Sequence, residues 1–178
     1  MARKRHIIVY IATSADGFIA RLDGSVDWLE RPRPKGNYGM DAFYHSIDTC
    51  ILGRKTYDLS VSFGMPEAYA GKQNYVFSRT LKTAASPDVI IVNEDVTSFA
   101  ERLRAEKGKD IWLVGGAAVV GAFLDSGQVD EFIIHVIPAM IGEGIPLAAP
   151  RHRHLPLKLL TSKKFPDGVV RLHYAVRK

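Results

Sequence analysis

One cysteine stands in 178 residues, Cys50. An intrachain disulfide is therefore excluded, and the composition fits a cytoplasmic protein. Cys50 is followed by Ile51 and Leu52, so a small buried side chain is expected there before a nucleophile. Long apolar runs are also missing. Ile7–Ala12 is short for a signal peptide and has no cleavage region behind it. No stretch is long and apolar enough to span a bilayer. The two strongest phosphate-loop signatures are absent: no G-x-G-x-x-G follows the first apolar run, and no G-x-x-x-x-G-K-[ST] occurs. No H-x-E precedes a P-C-x-x-C, and one cysteine cannot build that zinc site. His152 and His154 flank Arg153, yet no acidic or cysteine cluster completes a ligand set, so no metal site is expected. The formal charge is +5. The basic residues form neither an aromatic-studded strand nor a recognition helix, which argues against a nucleic-acid module. A basic surface can instead steer an anionic cofactor or substrate.

What remains is a chain that is 47% hydrophobic, enough for one core and one domain over residues 1–178. Arg3, Lys4, Arg5, Arg177 and Lys178 read as solvated termini. Strands are expected at Ile7–Thr13, Phe18–Ala20, Thr49–Leu52, Asn74–Phe77, Asp88–Val92, Asp110–Val114, Glu131–Ile137, Leu157–Phe165 and Val169–Val176. Asp27 opens a short helix with a capping arrangement. Met40, Phe43, Tyr44 and Ile47 recur at helical spacing, with Asn37 as the candidate cap. Further helices follow Gly53, Val96 (closed by Gly108) and Gly116. Strands alternating with helices give a mostly parallel sheet with helices on both faces, and the last pair, joined through Pro166-Asp167-Gly168, adds an antiparallel edge.

Two corners share one physical form, strand to glycine to helix. Val114-Gly115-Gly116-Ala117-Ala118 is the first and Leu52-Gly53-Arg54-Lys55-Thr56 the second. A helix start carries unpaired N–H groups and partial positive potential, and glycine admits a phosphate close to the main chain. Each corner alone is equally a tight βα turn. The second adds a guanidinium, an ammonium and a hydroxyl. Ser78-Arg79-Thr80 ends another strand and suits an adenosine 2′-phosphate, or is a plain surface turn. Gly142-Glu143-Gly144 borders a pyrophosphate or simply turns the chain.

The order of five pieces is similar to the dihydrofolate reductase fold, a three-layer α/β sandwich. More closely, it resembles the family named for the reductase domain of riboflavin-biosynthesis deaminase-reductases. The pieces are Ser14–Ala20, Leu52–Tyr57, Tyr75–Thr80, Trp112–Ala118 and Asp130–Pro138, with Gly142-Glu143-Gly144 behind. The resemblance implies NADPH as cofactor. Gly115 and Gly116, flanking a cis peptide, would meet its diphosphate, with Ala117 and Ala118 behind them. Arg54, Lys55 and Thr56 would line the phosphate side beside Gly53. Ser78 and Arg79 would approach the adenosine end, while Ala12 to Ala20, with Ala12 and Ile19 foremost, borders the nicotinamide.

One departure concerns the carboxylate that dihydrofolate reductases carry on the helix after the first long loop. Asn37 or Tyr38 falls near that place, and Asp41 is the nearby acid, about one turn later. Asp41 is thus the proton-handling candidate, while Asp16 has a turn explanation. Trp28, Phe43 and Tyr44 are candidates to wall a planar heterocycle, or core residues. The expected activity is hydride transfer to a C=N or C=O of a small heterocycle, as in 5-amino-6-(5-phosphoribosylamino)uracil reductase. Dihydrofolate reduction and a non-enzymatic nucleotide-binding or assembly role are the alternatives. A homodimer is the default assembly.

Overall fold

The computed structural model describes residues 4–177; the terminal Arg3 and Lys178 lie outside them. The elements are β1 Ile7–Thr13, β2 Phe18–Ala20, α1 Met40–Ser46, β3 Ile47–Gly53, α2 Arg54–Ser62, β4 Gln73–Phe77 and β5 Val89–Val92. They continue with α3 Val96–Ala105, β6 Asp110–Gly115, α4 Ala117–Asp125, β7 Glu131–Val136, β8 Ile145–Pro146, β9 Leu157–Lys164 and β10 Val170–Val176.

Eight strands form one sheet in the order β5-β4-β3-β6-β1-β7-β10-β9. Neighbours from β5 to β7 are parallel, and β10 is antiparallel to both β7 and β9. The mixed, mostly parallel sheet expected from the alternation is therefore what forms. Its cause is visible in β1, where side chains alternate between faces. Ile7 and Val9 join Ile111, Leu113, Phe99, Leu103, Val120 and Phe123 in the core beneath α3 and α4. Ile8 and Tyr10 join Phe43, Tyr57 and Trp112 beneath α1 and α2. A fully buried side chain of this size contributes about 1.5–3 kcal/mol relative to exposure, so a strand buried on both faces is anchored from two sides.

The crossovers create the crevice that matters. Neighbouring strands β3 and β6 lead into helices that pack on opposite faces, α2 toward β4 and α4 toward β7. Such a reversal leaves an opening at the carboxyl ends of the strands. At the other extreme the β9 edge is exposed along its whole length.

Four local expectations change. Asn37 does not cap α1: Gly39 is the N-cap and makes no side-chain bond, while Asn37 itself has positive φ. Asp27 caps nothing either; Val26 precedes that single 3-10 turn, and Asp27 instead takes a two-pronged bond from Arg21. Helix α3 stops at Ala105, ahead of Gly108. Arg5 is no solvated terminus: its side chain is 3% exposed and donates to the Leu103 and Lys109 carbonyls, Asp48 and Thr49, as a buried charge requires. The short strand Ile145–Pro146, for which the sequence analysis names no element, pairs with β2. Among the described residues no helix is long and apolar enough to cross a membrane.

Candidate active site

The two glycine corners face each other across the β3/β6 crevice. A Cβ on Gly53 would meet the Gly116 nitrogen at 3.4 Å and the Gly115 oxygen at 3.5 Å, and one on Gly116 would meet Thr56 Oγ1 at 3.2 Å. The Gly115–Gly116 peptide is cis, and Gly115 has φ +128°, a conformation that favours glycine. Neither α2 nor α4 has a side-chain cap at its start. Helix α3 does: Asp95 accepts from the Ser98 N–H at 2.9 Å. Helix α1 also starts without a side-chain cap, but of the uncapped starts those of α2 and α4 are the ones that open onto the crevice, where their N–H groups and positive ends suit an oxyanion.

Polar groups rim this crevice. Gly53 is in register with Phe77, so Ser78-Arg79 leaves the sheet beside Arg54. The Ser78 hydroxyl accepts from the Thr80 and Leu81 N–H groups at 3.2 and 2.9 Å, which fixes the turn. Arg79 is exposed and has no carboxylate partner among the described residues. Lys55 is exposed too. Arg54 is engaged with both oxygens of Asp58 at 2.7 Å, an i,i+4 pair on the open surface.

The segment after β1 is tied down from across the fold. The Asp16 carboxylate accepts from the Gly142 N–H at 2.7 Å and the Ile141 N–H at 3.2 Å, and the Ala15 N–H donates to the Ala139 carbonyl at 2.8 Å. A hydrogen bond from Ser14, with the Gly142 and Ile141 N–H groups, holds the Asp16 carboxyl below its usual range. Gly144 leaves no room for a Cβ against the Ala20 carbonyl and Phe18. The Gly142–Gly144 stretch is therefore a turn locked to the Ala12–Ile19 segment.

The other end of the cleft centres on Tyr10. Ala12 and His135 are register partners on β1 and β7, as are His135 and Arg171 on β7 and β10; Tyr10 shares their face. The Tyr10 hydroxyl lies 3.4 Å from His135 Nε2, which lies 3.2 Å from the Tyr38 carbonyl oxygen. Arg171 also reaches that carbonyl, at 3.5 Å. A Cβ on Gly39 would stand 2.5 Å from Arg171 Nη1, so a side chain there would displace the guanidinium from its present position. Burial pushes the Tyr10 phenol up to about 12, with Arg171 opposing and Asp41 adding to the shift. Burial pulls His135 below its ordinary value, against the proton-holding Tyr38 and Ile11 carbonyls. His135 is 4% exposed, so it is neutral near pH 7.

The heterocycle candidates separate. Asp41 is exposed in the first turn of α1, close enough to act on Tyr10. Trp28 packs with Ala12 and Tyr38 around Ile137, Phe165 and Val169, and its indole N–H is buried without a partner among the described residues. Phe43 is core, stacked on Tyr10 at 4.3 Å. Tyr44 stands at the opposite, amino end of the sheet, its hydroxyl donating to the Ala70 carbonyl at 2.8 Å beneath Lys72; it does not join the cleft. The sequence does not link Tyr10, Tyr38, His135 and Arg171 to one another, since only the sheet register and the turn before α1 bring them together. Cys50 is buried, its thiol pushed up to about 12 by desolvation, which removes it as a nucleophile. Among the described residues no group of three or more His, Cys, Asp or Glu is arranged to hold a metal ion.

Residues 5–171 match the RibD C-terminal domain. The chain belongs to that family. The uncharacterised Bacillus subtilis protein YwjB is 40% identical over 171 residues, covering 96% of this chain and 98% of YwjB. A protein of Shewanella sp. PV-4 assigned by name to riboflavin biosynthesis has a solved structure with TM-score 0.87 and 28% identity, covering 97% of this chain and 99% of that one. Dihydrofolate reductase of Enterococcus faecalis, solved with NADP(H), superimposes with TM-score 0.72 over 100% of both chains at 14% identity. At that identity the likeness is one of fold: this RibD-type domain has the dihydrofolate-reductase-like sandwich.

Proposed function

We propose that this RibD-type domain is an NADPH-dependent reductase acting on a C=N or C=O of a small heterocycle of the riboflavin-pathway type. The observation that carries the reading is the apposition of Gly53 and Gly116 between two uncapped helix starts. With no side chain on either glycine, a diphosphate lying over the rim of the two corners would meet the main chain of both. When bound, the cofactor supplies the hydride; the protein supplies position and charge. Gly115, Gly116, Ala117 and Ala118 hold the diphosphate with Gly53, Lys55 and Thr56, and Arg54 contributes after exchanging Asp58 for phosphate. Ser78 and Arg79 take the adenosine 2′-phosphate. Ala12 and Ile19 border the nicotinamide. Trp28, with its unpartnered indole N–H, faces the heterocycle, and Asp41 handles the proton through water. The protein works in the cytoplasm, as a homodimer joined along the exposed β9 edge, where Leu157, Leu159 and Leu160 lie open.

Calorimetry with NADPH and NADH, followed by cofactor oxidation with 5-amino-6-(5-phosphoribosylamino)uracil and with dihydrofolate, tests the reading. NADPH binding with turnover of the uracil supports it. Turnover of dihydrofolate alone moves the substrate assignment to folate, binding without turnover makes the protein a nucleotide-binding module, and no binding of either cofactor ends it. Solution mass tests the dimer.

A further inference from the structure

We infer that Arg171 and Lys163 form an anion subsite that takes a phosphate monoester at the end of the substrate remote from the nicotinamide. The inference rests on the reductase reading and deepens it by naming the group the substrate carries and the residues that select for it. Arg171 on β10 and Lys163 on β9 are direct cross-strand partners, so both project from one face of the sheet. Like charges placed this way repel, and neither has a carboxylate partner among the described residues. The acids of this region are engaged elsewhere. Asp167 accepts from the Tyr38 hydroxyl and pairs with Arg31, while Asp41 acts on Tyr10. Arg171 makes one long contact, from Nη1 to the Tyr38 carbonyl at 3.5 Å. Its Nε and Nη2 have no protein partner among the described residues. The buried side-chain nitrogens without a partner belong to Trp28 and Arg104 alone among those residues, so solvent reaches Arg171 Nε and Nη2. Lys163 is exposed, its ammonium 5.1 Å from the centre of the Phe165 ring. Both cations are thus open to a ligand anion, which would offset their repulsion.

Register ties the pair to the cleft. Ala12, His135 and Arg171 are successive partners on β1, β7 and β10, and Lys163 follows on β9. At about 4.8 Å per strand, Arg171 stands about 10 Å and Lys163 about 14 Å from Ala12, measured between backbones. Trp28 packs with Ala12, Tyr38 and Phe165 in one cluster. A heterocycle seated by Trp28 would therefore send its substituent along this row, away from the Ala12 border and toward the two cations. Their chemistry selects the anion. A carboxylate is filled by one guanidinium fork. A phosphate monoester, with a charge of about −2 at pH 7 and three terminal oxygens, can be met by a fork on one side and a point charge on another. Arg33 is exposed and acts on the Tyr38 phenol, which adds to the positive field over the row. Arg171 and Lys163 determine specificity; neither touches the reacting atoms.

Two measurements test the subsite, the first without turnover. Spectra of the Nε–H groups in ¹⁵N-arginine-labelled protein follow Arg171, assigned by the signal lost in Arg171→Gln. Saturating NADP⁺ keeps the probes out of the cofactor's own phosphate sites. Ribose 5-phosphate should shift the Arg171 signal, and ribose should not. A shift with glutamate in place of ribose 5-phosphate overturns the phosphate assignment, and no shift with either overturns the subsite. The second measurement is NADPH oxidation with 5-amino-6-(5-phosphoribosylamino)uracil and with its dephosphorylated counterpart. The wild-type protein should favour the phosphorylated substrate in kcat/KM by about a hundredfold. Lys163→Gln, at an exposed position, should reduce that preference by about tenfold, chiefly through KM, and Arg171→Gln by about as much or more. Lys163→Arg, which keeps the charge, should restore most of it. Equal use of the two uracils, or a preference unchanged in Lys163→Gln and Arg171→Gln, overturns the subsite and leaves the reductase reading standing. An Arg171 signal that answers ribose 5-phosphate in a protein that oxidises NADPH with neither uracil upholds the subsite and ends the reductase reading.

Discussion

The glycine-lined crevice and the tyrosine end of the cleft are built by opposite means. In the crevice two corners, each a run of adjacent residues, meet because β3 and β6 are neighbours, and the contacts are main chain to main chain: Gly53 against Gly115 and Gly116. At the other end the groups come singly from β1, β7, β10 and the turn before α1, as Tyr10, His135, Arg171 and Tyr38. A main-chain site depends on what is left out, namely a Cβ. A side-chain site depends on what is put in and how it is held. The first tolerates changes in neighbouring side chains but no added volume. The second tolerates none at the few positions that supply its atoms.

Four perturbations break or sharpen this contrast, taken from the largest effect down. Phe43→Ala removes the ring stacked on Tyr10 and should cost about 3–5 kcal/mol of stability, read by denaturant unfolding. In folded protein at low temperature it should lower turnover while sparing NADPH affinity; an equal loss of both would mean the two ends are one unit. Gly116→Val places volume where Thr56 Oγ1 already limits it and should weaken NADPH by about a hundredfold, equivalent to about 2.8 kcal/mol. Calorimetry checks it, and the His135 ring signals should stay in place. Arg79→Ala should weaken NADPH by about tenfold, or about 1.4 kcal/mol, and leave NADH unchanged; equal weakening of both removes the 2′-phosphate role. The smallest effect is a pH slope. The folded value of His135 lies below its ordinary 6.5, so in the window beneath 6.5 the unfolded chain binds a proton that the folded chain refuses. Stability should fall as the pH drops through that window and be level above it with respect to this group. His135→Leu should flatten the slope in thermal melts across pH 5–8.

The same contrast explains which parts were legible in the sequence. Strand, glycine and helix are written consecutively at Leu52–Thr56 and Val114–Ala118, so chain order alone displays the crevice. The sheet itself was equally plain, because a continuous apolar run such as Ile111–Val114 calls for burial on both faces. Tyr44 shows the limit. Helical spacing with Phe43 places it on an apolar stripe, but nothing in the spacing says that α1 runs toward the amino end of the sheet, where Tyr44 meets Ala70 and Lys72. His135 shows the converse: a lone histidine in an apolar strand is unremarkable until the β1–β7 register sets it opposite Ala12. Asn37 looked like a cap by composition, yet its positive φ comes from a turn that tertiary packing imposes.

The bonds from Ile141 and Gly142 to Asp16 join positions up to 126 residues apart in the chain, and the β2–β8 pairing seals the same junction. In effect the cleft has one cover sewn from two pieces of cloth. Inheritance acts on them together: a substitution at 141–146 is a change to the Ala12–Ile19 segment, although no residue there has altered. Variation in this glycine-rich turn is therefore a means of reshaping the cleft from outside it, with the Tyr10 end untouched.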